Sequence, residues 1–284
     1  MHSQEGSVHD CSPDAAPIFL DARRIRSTVD PSDHCTMTAS DAAQDRADEA
    51  TAAAVASVRL TGARLSSVLY DTLKGRLLEG AYAAGEKIVV ESIRQEFGVS
   101  KQPVMDALRR LSSDKLVDIV PQVGVQVVSY SRQEVEDFFT LFGGFEGTIA
   151  GVAALRRTDA QLRDLDAVSA NVDGLISSDD GAVRAHGYRV QNRNFHAVIH
   201  AMAHSRIMAE TSQRMWDLSD FLINTAGVDN PLSSALDDRQ HDHRSISEAI
   251  RAGNARWARE AMEHHIVGTV EVIRHESASR NLAG

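Results

Sequence analysis

The chain has 284 residues, enough for two domains that each bury a core, and 43% of its residues are hydrophobic. No apolar run has the length that crosses a bilayer, and the N-terminus lacks the basic and then apolar pattern of a secretory signal, so a cytoplasmic protein without a membrane partner is expected. The two cysteines, Cys11 and Cys35, both lie near the N-terminus, which argues against a disulfide framework or a thiolate metal site in the folded body.

The net charge of −10 does not by itself favour a nucleic-acid partner, but the charges are unevenly distributed. Residues 1–58 are rich in Ala, Ser, Asp and Thr without sustained apolar periodicity, so a disordered tail is predicted there. All four lysines of the chain fall between residues 60 and 130. Basic residues balance acidic ones in this segment, which makes it the best placed part of the chain to contact DNA phosphates.

Residues 59–130 are predicted to contain a helix-turn-helix unit. After a first helix over 65–78, apolar residues at helical spacing between Val90 and Phe97 indicate a short second helix, and Gly98 is suited to end it in the left-handed conformation. Ser100 is a suitable N-cap residue for a third helix, because its hydroxyl can accept a backbone N–H. Two short helices that meet at a tight turn are typical of DNA-binding domains.

The third helix has one face to pack and one face to read DNA. The apolar residues Val104, Ala107, Leu108 and Leu111 recur at helical spacing and form the packing face. The other face carries the predicted DNA contacts: Lys101 and Gln102 near the base edges, Arg109 nearer the backbone, and Met105 for apolar contact, for instance with a thymine methyl. Such a helix enters the major groove with its N-terminal end foremost.

A β-hairpin is predicted after the recognition helix. Residues 116–120 and 125–128 are rich in β-branched side chains, and the turn residues between them include a proline and a glycine. A hairpin in this position is a wing, so Gln122 at its tip is a secondary candidate for DNA contact. Lys87 and Arg94, which precede the turn, are further candidates. A small structural α+β module is the alternative, but helix, turn, helix and wing in this order favour DNA binding.

Several short motifs run through this segment: Tyr70 with Leu73, Gly85-Glu-Lys-Ile88, Phe97-Gly-Val-Ser100, Pro103-Val104, Ala107-Leu-Arg-Arg-Leu111 and Leu116-Val117. Together they resemble the winged-helix domain of the GntR family of bacterial transcription regulators. The family usually has arginine at the positions of Lys101 and Met105, and glutamate at that of Asp106. The resemblance implies a homodimer on operator double-stranded DNA, with a base preference that these departures alter.

A second domain is predicted over 131–276, followed by a C-terminal tail over 277–284. Ser131 and Glu134 have the spacing of a capping box, and a stripe of phenylalanines follows at helical spacing. Further helices are expected over 159–177, 183–203, 207–224, 232–252 and 254–274, with no strand pattern between them. The predicted fold is therefore mainly α, with an N-terminal α+β winged helix-turn-helix domain followed by an all-α bundle of six or seven helices.

Polar residues on three helices of this bundle are candidates for a metal site. Asn192 and His196 lie four residues apart on one helix and face the same way, while His243 and His265 lie on two later helices. Imidazoles and an amide oxygen suit a borderline divalent cation such as zinc, nickel or manganese. Each histidine taken singly is also explained as a packed or surface side chain.

The motifs Asn194-Phe-His196, His243-Arg-Ser-Ile246, Glu248-Ala-Ile250 and Ala261-Met262 before His265-Ile266 are similar to those of the FCD effector domain in the FadR subfamily. The resemblance implies that Asn192, His196, His243 and His265 hold a metal beneath an effector pocket. The family more usually has aspartate at the position of Asn192, so a less tightly bound metal is expected.

The expected effector is a small carboxylate or a fatty-acid-like molecule. In the resembling family an arginine suited to grip a carboxylate often stands four residues before the glutamate of a Leu-Glu pair. In this chain Phe145-Glu146 corresponds to that pair, and Phe142 stands at the position of the arginine. Because Gly143 and Gly144 also replace larger residues, the pocket lined by Phe142, Glu146 and His200 is expected to be wide and apolar, or else Phe142 only fills space.

Two classes of function are compatible with these residues. The first is a ligand-responsive DNA-binding regulator, with repression favoured over activation. The second is a metal-dependent hydrolase built on the histidine cluster, which requires an open metal position and a placed general base. Glu146 is the only attractive carboxylate for that role, and no nucleophile motif is present. The winged domain favours regulation and a protein that is not an enzyme.

Overall fold

The computed structural model describes residues 62–283, with side chains for residues 64–278, so the tail predicted over 1–58 lies outside the described residues. Nine α-helices and three β-strands form this part of the chain. In the winged domain they are α1 (Gly62–Leu78), β1 (Lys87–Ile88), α2 (Val90–Phe97), α3 (Lys101–Ser113), β2 (Val117–Val120) and β3 (Gly124–Val127). In the helical domain they are α4 (Arg132–Arg156), α5 (Asp159–Ile176), α6 (Gly181–Met202), α7 (Arg206–Asn224), α8 (Leu236–Arg251) and α9 (Ala255–Ala283).

The turn between α2 and α3 has the predicted geometry. Gly98 has φ 62° and ψ 33°, and its N–H reaches back to the carbonyls that end α2, so the left-handed stop is confirmed. Ser100 occupies the N-cap position of α3, but its side chain makes no capping hydrogen bond, which differs from the prediction. The predicted packing face of α3 is fully buried, and it fixes the helix against α1 and α2.

The wing is a three-stranded antiparallel sheet with strand order β1-β3-β2. Val117 pairs with Val127 and Val120 pairs with Gly124, so β2 and β3 form the predicted hairpin. The Val123 N–H donates to the Val120 carbonyl at 3.2 Å, which closes a turn whose third residue, Gln122, has φ 64°. A positive φ at this position normally selects glycine or asparagine, so Gln122 is held in a strained conformation at the tip.

The helical domain begins where the capping box predicted it. The Ser131 hydroxyl accepts from the Glu134 N–H, and the Glu134 carboxylate accepts from the Ser131 N–H. The helix expected from Leu232 begins at Leu236 instead, because Leu232 adopts φ 65° in the preceding turn. At the other end, α9 continues to Ala283, through most of the segment for which a tail was expected.

Helix α4 runs through the domain and packs closely along α9. A Cβ atom on Gly147 would lie 2.6 Å from Glu263 Cγ and 3.0 Å from the Arg259 carbonyl, and one on Gly143 would meet Val267 at 3.0 Å. Glycine is therefore needed on this face for the two helices to approach. The expectation that Gly143 widens an effector pocket is wrong, since this residue faces α9.

Helix α4 is also long and apolar enough to meet a length-and-composition criterion for a membrane span, with a mean hydropathy of 1.5 over its most apolar window. This differs from the expectation that no such segment exists. A single helix of this kind is weak evidence, because the core helix of a soluble protein meets the same criterion. Half of the window is buried inside the protein, and the fully buried Glu146 lies on the same helix.

Polar contacts join the winged domain to the helical domain along α1. Lys74 Nζ lies 2.6 Å from Asp217 Oδ2 of α7, and Arg189 of α6 lies 2.7 Å from Glu79. Asn224 donates from its side chain to the Leu78 carbonyl at 2.8 Å. The two domains are thus connected through α6 and α7, which also carry parts of the buried polar site described next.

Candidate DNA-reading surface and metal centre

The outer face of α3 presents the predicted reading residues to solvent. Lys101 and Gln102 are exposed at the N-terminal end of the helix, and Arg109 is exposed two turns later. Met105 is half-buried against the domain core, which leaves only part of its side chain for contact. This arrangement has the form required for a helix that enters a groove with its first turn.

Asp106 accepts hydrogen bonds from two of the predicted DNA-contacting side chains, Gln102 and Arg109. Its Oδ1 atom accepts from Gln102 Nε2 at 3.0 Å and from Arg109 Nη1 at 2.6 Å. Asp106 therefore orients two of its neighbours on α3, although it is shorter than the glutamate usual in the resembling family. Arg94 is engaged in the same way, because its Nη1 lies 2.5 Å from Glu91 on the same helix. These exposed pairs are weak in water and can exchange for phosphate contacts at small cost.

The remaining predicted contacts come from the sheet. Lys87 is exposed on β1, where it pairs with Gln126 of β3, and Gln122 is exposed at the tip of the wing. A basic residue outside the predicted set, Arg110, stacks on the Tyr70 ring with its guanidinium carbon 3.8 Å from the ring centroid. The sequence did not predict this contact, because Tyr70 lies on α1 and helical spacing within α3 says nothing about residues of another helix.

Three histidines predicted as ligands converge inside the helical domain. His196 of α6, His243 of α8 and His265 of α9 are all buried, and one ring nitrogen from each lies within 4.8 Å of the others. The centroids of the His243 and His265 rings are 4.7 Å apart, and Phe195 stacks on His243 at 4.1 Å. Aromatic rings thus shield this cluster from water, and Trp216 covers His196 at 4.3 Å.

Asn192 reaches the same cluster through its amide oxygen. This atom lies 3.0 Å from His243 Nε2 and also accepts from the Tyr188 hydroxyl at 3.2 Å. All four side chains that were predicted as ligands therefore lie in one place. Tyr188 was not predicted, although it is four residues before Asn192 on α6 and so shares its face.

Burial keeps the three histidines neutral near pH 7. It lowers the pKa of His196 to about 4, although the nearby charge of Glu146 acts in the opposite direction. Burial also lowers the pKa values of His243 and His265 well below the ordinary value, and the positive charge of Arg239 lowers them further. Neutral imidazole is the form that binds a metal, so none of these ligands has to lose a proton first.

The donor set fits a divalent cation. Both ring nitrogens of His196 and Nδ1 of His243 are buried without a hydrogen-bond partner among the described residues, which is a costly arrangement. A bound cation would satisfy one nitrogen of each ring. Nitrogen and oxygen ligands about 2.1 Å from one ion lie about 3 to 4 Å apart, which is compatible with three ring nitrogens that all lie within 4.8 Å of one another. His196, His243, His265 and Asn192 would hold such an ion, with its remaining positions open to water or to a carboxylate.

Two charged residues that were not predicted from the sequence, Arg239 and Asp242, lie beside His265. The Arg239 guanidinium is buried and its Nη2 lies 2.7 Å from His265 Nδ1, while Asp242 Oδ2 lies 3.3 Å from the same nitrogen. A guanidinium can only donate, so the Arg239 contact requires the tautomer in which Nδ1 accepts, whereas a hydrogen bond from Nδ1–H to Asp242 requires the other tautomer. The tautomer with Nδ1–H is the one that leaves Nε2 free for a metal. Arg239 is four residues before His243, so helical spacing places it on the same face, but only the fold shows its partner.

Glu146 lies on the opposite side of the cluster, fully buried. It accepts from Ser212 Oγ at 2.5 Å and contacts His200 Nε2 at 2.8 Å, and its Oε2 is 3.6 Å from His196. Burial alone would raise the pKa of this carboxyl, but the contacts with His196 and His200 outweigh burial and lower it to about 2. A carboxylate that stays ionised at the histidine cluster adds a negative charge beside the metal position.

Phe142 is completely buried between two aromatic rings. It stacks on Phe138 at 5.5 Å and meets Trp216 edge-on at 5.1 Å. The predicted pocket residues Phe142, Glu146 and His200 therefore surround Trp216 and Ser212 of α7, two residues that the sequence did not indicate. Phe142 fills space in this arrangement, which is one of the two roles considered for it.

The polar contacts do not form a nucleophilic triad. His200 uses the same atom, Nε2, towards Ser212 Oγ at 3.2 Å and towards Glu146. In a Ser-His-acid arrangement the histidine contacts the hydroxyl with one ring nitrogen and the carboxylate with the other. This geometry offers no path for the proton of Ser212 through the imidazole to the acid.

Comparisons with known proteins agree with this architecture. Residues 65–127 match the family described as "Bacterial regulatory proteins, gntR family", and residues 137–268 match the FCD domain. The chain is 25% identical over 213 residues to the HTH-type transcriptional repressor GlaR of Escherichia coli K12, covering 74% of this chain and 96% of GlaR. It is 26% identical to the Uxu operon regulator of Haemophilus influenzae, covering 68% and 76%.

The solved structure of E. coli McbR/YncC has the same fold, with a TM-score of 0.62 at 16% identity over 75% of this chain and 98% of that one. GlaR and the Uxu operon regulator are transcription regulators, and they give no support to the hydrolase considered from the sequence. The GntR helix-turn-helix domain implies DNA binding, and the FCD domain implies a small-molecule effector. The chain belongs to the GntR family of bacterial transcription regulators and carries an FCD domain after its winged domain.

Proposed function

We propose that the protein is a cytoplasmic transcriptional repressor of the FadR subfamily, which binds operator double-stranded DNA as a homodimer and responds to a small carboxylate or acyl effector. The observation that carries the proposal is one chain with both an exposed polar reading helix and a buried histidine cluster. Repression is favoured because GlaR, 96% of which aligns with this chain, is a repressor. We assign residues 59–130 to DNA binding and 131–276 to effector binding.

For operator binding, we assign the base edges to Lys101 and Gln102 and the phosphate backbone to Arg109. Lys87 of β1, Arg94 of α2 and Gln122 at the wing tip extend the contact. The support is the exposure of Lys101, Gln102, Arg109, Lys87 and Gln122, together with the loose pairing of Gln102 and Arg109 with Asp106. DNA phosphates compete well with such exposed pairs, because they offer several charges at once.

The homodimer is proposed to use the outer face of α4. Two large apolar side chains remain uncovered on this face in the single chain, since Leu141 and Leu155 are 68% and 67% exposed, while Phe142 and Ile149 between them are buried. Leu141, Thr148 and Leu155 recur every seven residues, which suits packing against a second helix. Two reading helices on a palindromic operator must lie about one DNA turn apart, which a two-fold symmetric pair satisfies.

The effector is proposed to bind at a divalent metal, either zinc, nickel or manganese, held by Asn192, His196, His243 and His265. Charge balance supports an anionic ligand. The buried Glu146 and the largely buried Asp242 and Arg239 leave one net negative charge around the cluster, so a divalent cation makes the region positive by one. One carboxylate group would then neutralise the remaining positive charge, which is costly to bury away from water.

The proposed route from this site to the DNA-binding domain runs through α7. Trp216 covers His196, and the next residue, Asp217, binds Lys74 of α1 and also Arg193, whose Nη2 lies 3.0 Å away. Arg193 directly follows the ligand Asn192 on α6. A ligand that moves α6 or Trp216 would therefore act on the ion pairs that hold the winged domain, and so change operator affinity by differential binding.

The test is to identify bound DNA and then measure its response. Genomic fragments captured by the untagged protein would give an operator, and fluorescence anisotropy with that operator would follow binding as metal and then candidate carboxylates are added. We expect a near-palindromic site and a carboxylate that changes affinity only when metal is present. Fragments without a shared motif would refute operator binding, and carboxylate effects that persist in chelator would refute the metal-bound effector.

A further inference from the structure

We propose a second ligand site at the junction of the two domains, which binds a small amphipathic acid. A cavity of about 520 Å³ opens there, within the size range of about 300 to 1,000 Å³ that is usual for ligand pockets. None of the residues around it belongs to the histidine cluster. The inference therefore goes beyond the proposed effector site and does not depend on a metal.

The walls of this junction cavity come from both domains and are mainly apolar. They include Tyr130 at the end of the winged domain, Val135 of α4, Leu222 of α7, and Val270 and Ile273 of α9. The Tyr130 hydroxyl donates to the Lys115 carbonyl at 2.9 Å, so its ring is fixed to the base of the wing. Domain interfaces are a common place for ligand pockets, and these walls favour an aliphatic or aromatic body.

The polar groups at the rim favour an acidic head on that body. Arg274 is already paired, with Nη2 2.6 Å from Glu136 and Nη1 2.9 Å from Glu271. Arg132 also borders the cavity, and among the described side chains no hydrogen bond or ion pair engages its guanidinium. An unpaired guanidinium beside an apolar wall is the arrangement that binds a carboxylate in two parallel hydrogen bonds.

The position of the cavity gives such a ligand contact with both functional parts of the chain. Helix α9 contributes His265 to the histidine cluster and Val270 to the cavity wall, five residues later. On the other side, the Tyr130 ring meets Phe221 of α7 edge-on at 6.4 Å. A ligand in the cavity therefore bridges the winged domain, α7 and α9.

Binding of anilinonaphthalene sulfonate, an apolar anion whose fluorescence rises on burial, tests the proposal. The full chain is treated with a chelator first, so that a metal-bound carboxylate cannot contribute, and decanoate is then used to displace the probe. We expect one saturable site. Arg132→Gln should weaken the binding of both anions about tenfold, the usual effect of losing a charged hydrogen-bond pair. Val270→Trp, which fills the cavity, should abolish saturable binding.

The matched control is Arg163→Gln, which removes an exposed arginine from α5, outside the cavity lining. Thermal melts of each variant show that it is folded before its binding is compared. Equal weakening by Arg132→Gln and Arg163→Gln would mean that the anions respond only to overall charge, and the site would be rejected. Unchanged binding in both Arg132→Gln and Val270→Trp would reject it as well. Because metal is absent throughout, neither result bears on the proposed effector at the histidines.

Discussion

The reading surface on α3 and the histidine cluster between α6, α8 and α9 are both polar, but water reaches only the first. On α3, the side chains of Gln102 and Arg109 donate hydrogen bonds to Asp106 and remain exposed, so each can change partners at little cost. In the cluster, neither ring nitrogen of His196 has a hydrogen-bond partner within the described part of the chain, and the side chain is only 1% exposed. An exposed pair can exchange its partner for a DNA phosphate, whereas a buried imidazole nitrogen has no water to turn to, which is why we propose that the cluster holds a metal.

The largest expected effect comes from removing the reading residues. Lys101→Ala combined with Gln102→Ala should weaken operator binding by about 2 to 6 kcal/mol, because each base-reading contact contributes about 1 to 3 kcal/mol. Fluorescence anisotropy with operator and with unrelated DNA would measure it, and the loss should be larger for the operator.

The control is Gln133→Ala with Arg163→Ala, which removes one amide and one positive charge from exposed positions of the helical domain. Operator affinity should be nearly unchanged in this variant. If both double variants lose affinity equally, or neither does, α3 does not enter the groove with its N-terminal end.

The second effect concerns the stability of the metal-free protein in acid. His196 has a folded pKa of about 4, below the value of about 6.5 in an unfolded chain, so the unfolded state binds more protons between these two values. The free energy of unfolding should therefore fall as the pH is lowered from 6.5 to 4, by about 3 kcal/mol from His196 alone. The reduced pKa values of His243 and His265 add in the same direction.

Urea unfolding in chelator at several pH values would measure this loss. His243→Phe should reduce it, because the phenyl ring can keep the stacking on Phe195 without taking up a proton. His241→Ala, at an exposed position on α8, should leave the pH dependence unchanged. Glu146 behaves differently: its low pKa contributes stability above about pH 4.5 that is lost only as the pH falls towards 2. A flat profile between pH 6.5 and 4 would contradict the burial of neutral histidines.

The two regions also differ in how far the sequence could predict them. Gly98, the capping box at Ser131 and the packing face of α3 depend on neighbours within a few residues, and all three are confirmed. The ligand set could be proposed from helical spacing and a family resemblance. The contact of Arg239 with His265 and that of Trp216 with His196 could not be proposed from the sequence, because these contacts depend on how separate helices pack.

The misreading of Gly143 has the same cause. A small residue in a helix indicates that something approaches closely, but the sequence does not say whether this is a ligand or another helix. Here the neighbour is α9, which lies against Gly143 and Gly147 along its length. Local signals therefore predicted the elements of the fold, while the identity of each partner needed the three-dimensional arrangement.

The third prediction restores a charge to the cluster. Asn192→Asp should raise the affinity for zinc or nickel about tenfold, because a carboxylate replaces a neutral amide oxygen at a ligand position. Competition against a chromophoric chelator would measure the affinity. Asn194→Asp adds the same charge at an exposed position two residues further along α6 and should change affinity little. Equal affinities in the two variants would remove Asn192 from the ligand set.

The smallest expected effect lies at the wing tip, where the exposed surface carries backbone strain. Gln122 has φ 64°, in the left-handed region, which asparagine adopts more readily than glutamine does. Gln122→Asn should therefore raise the free energy of unfolding by a few tenths to about 1 kcal/mol. It keeps an amide at the tip, so operator affinity should change less than in Gln122→Ala, which keeps the strain and loses the amide. Urea unfolding and operator titrations of both variants would separate the contribution of backbone strain from that of the amide.

Lower stability in Gln122→Asn would contradict the left-handed backbone at this residue. Equal operator affinities in the two variants would show that the tip does not touch DNA.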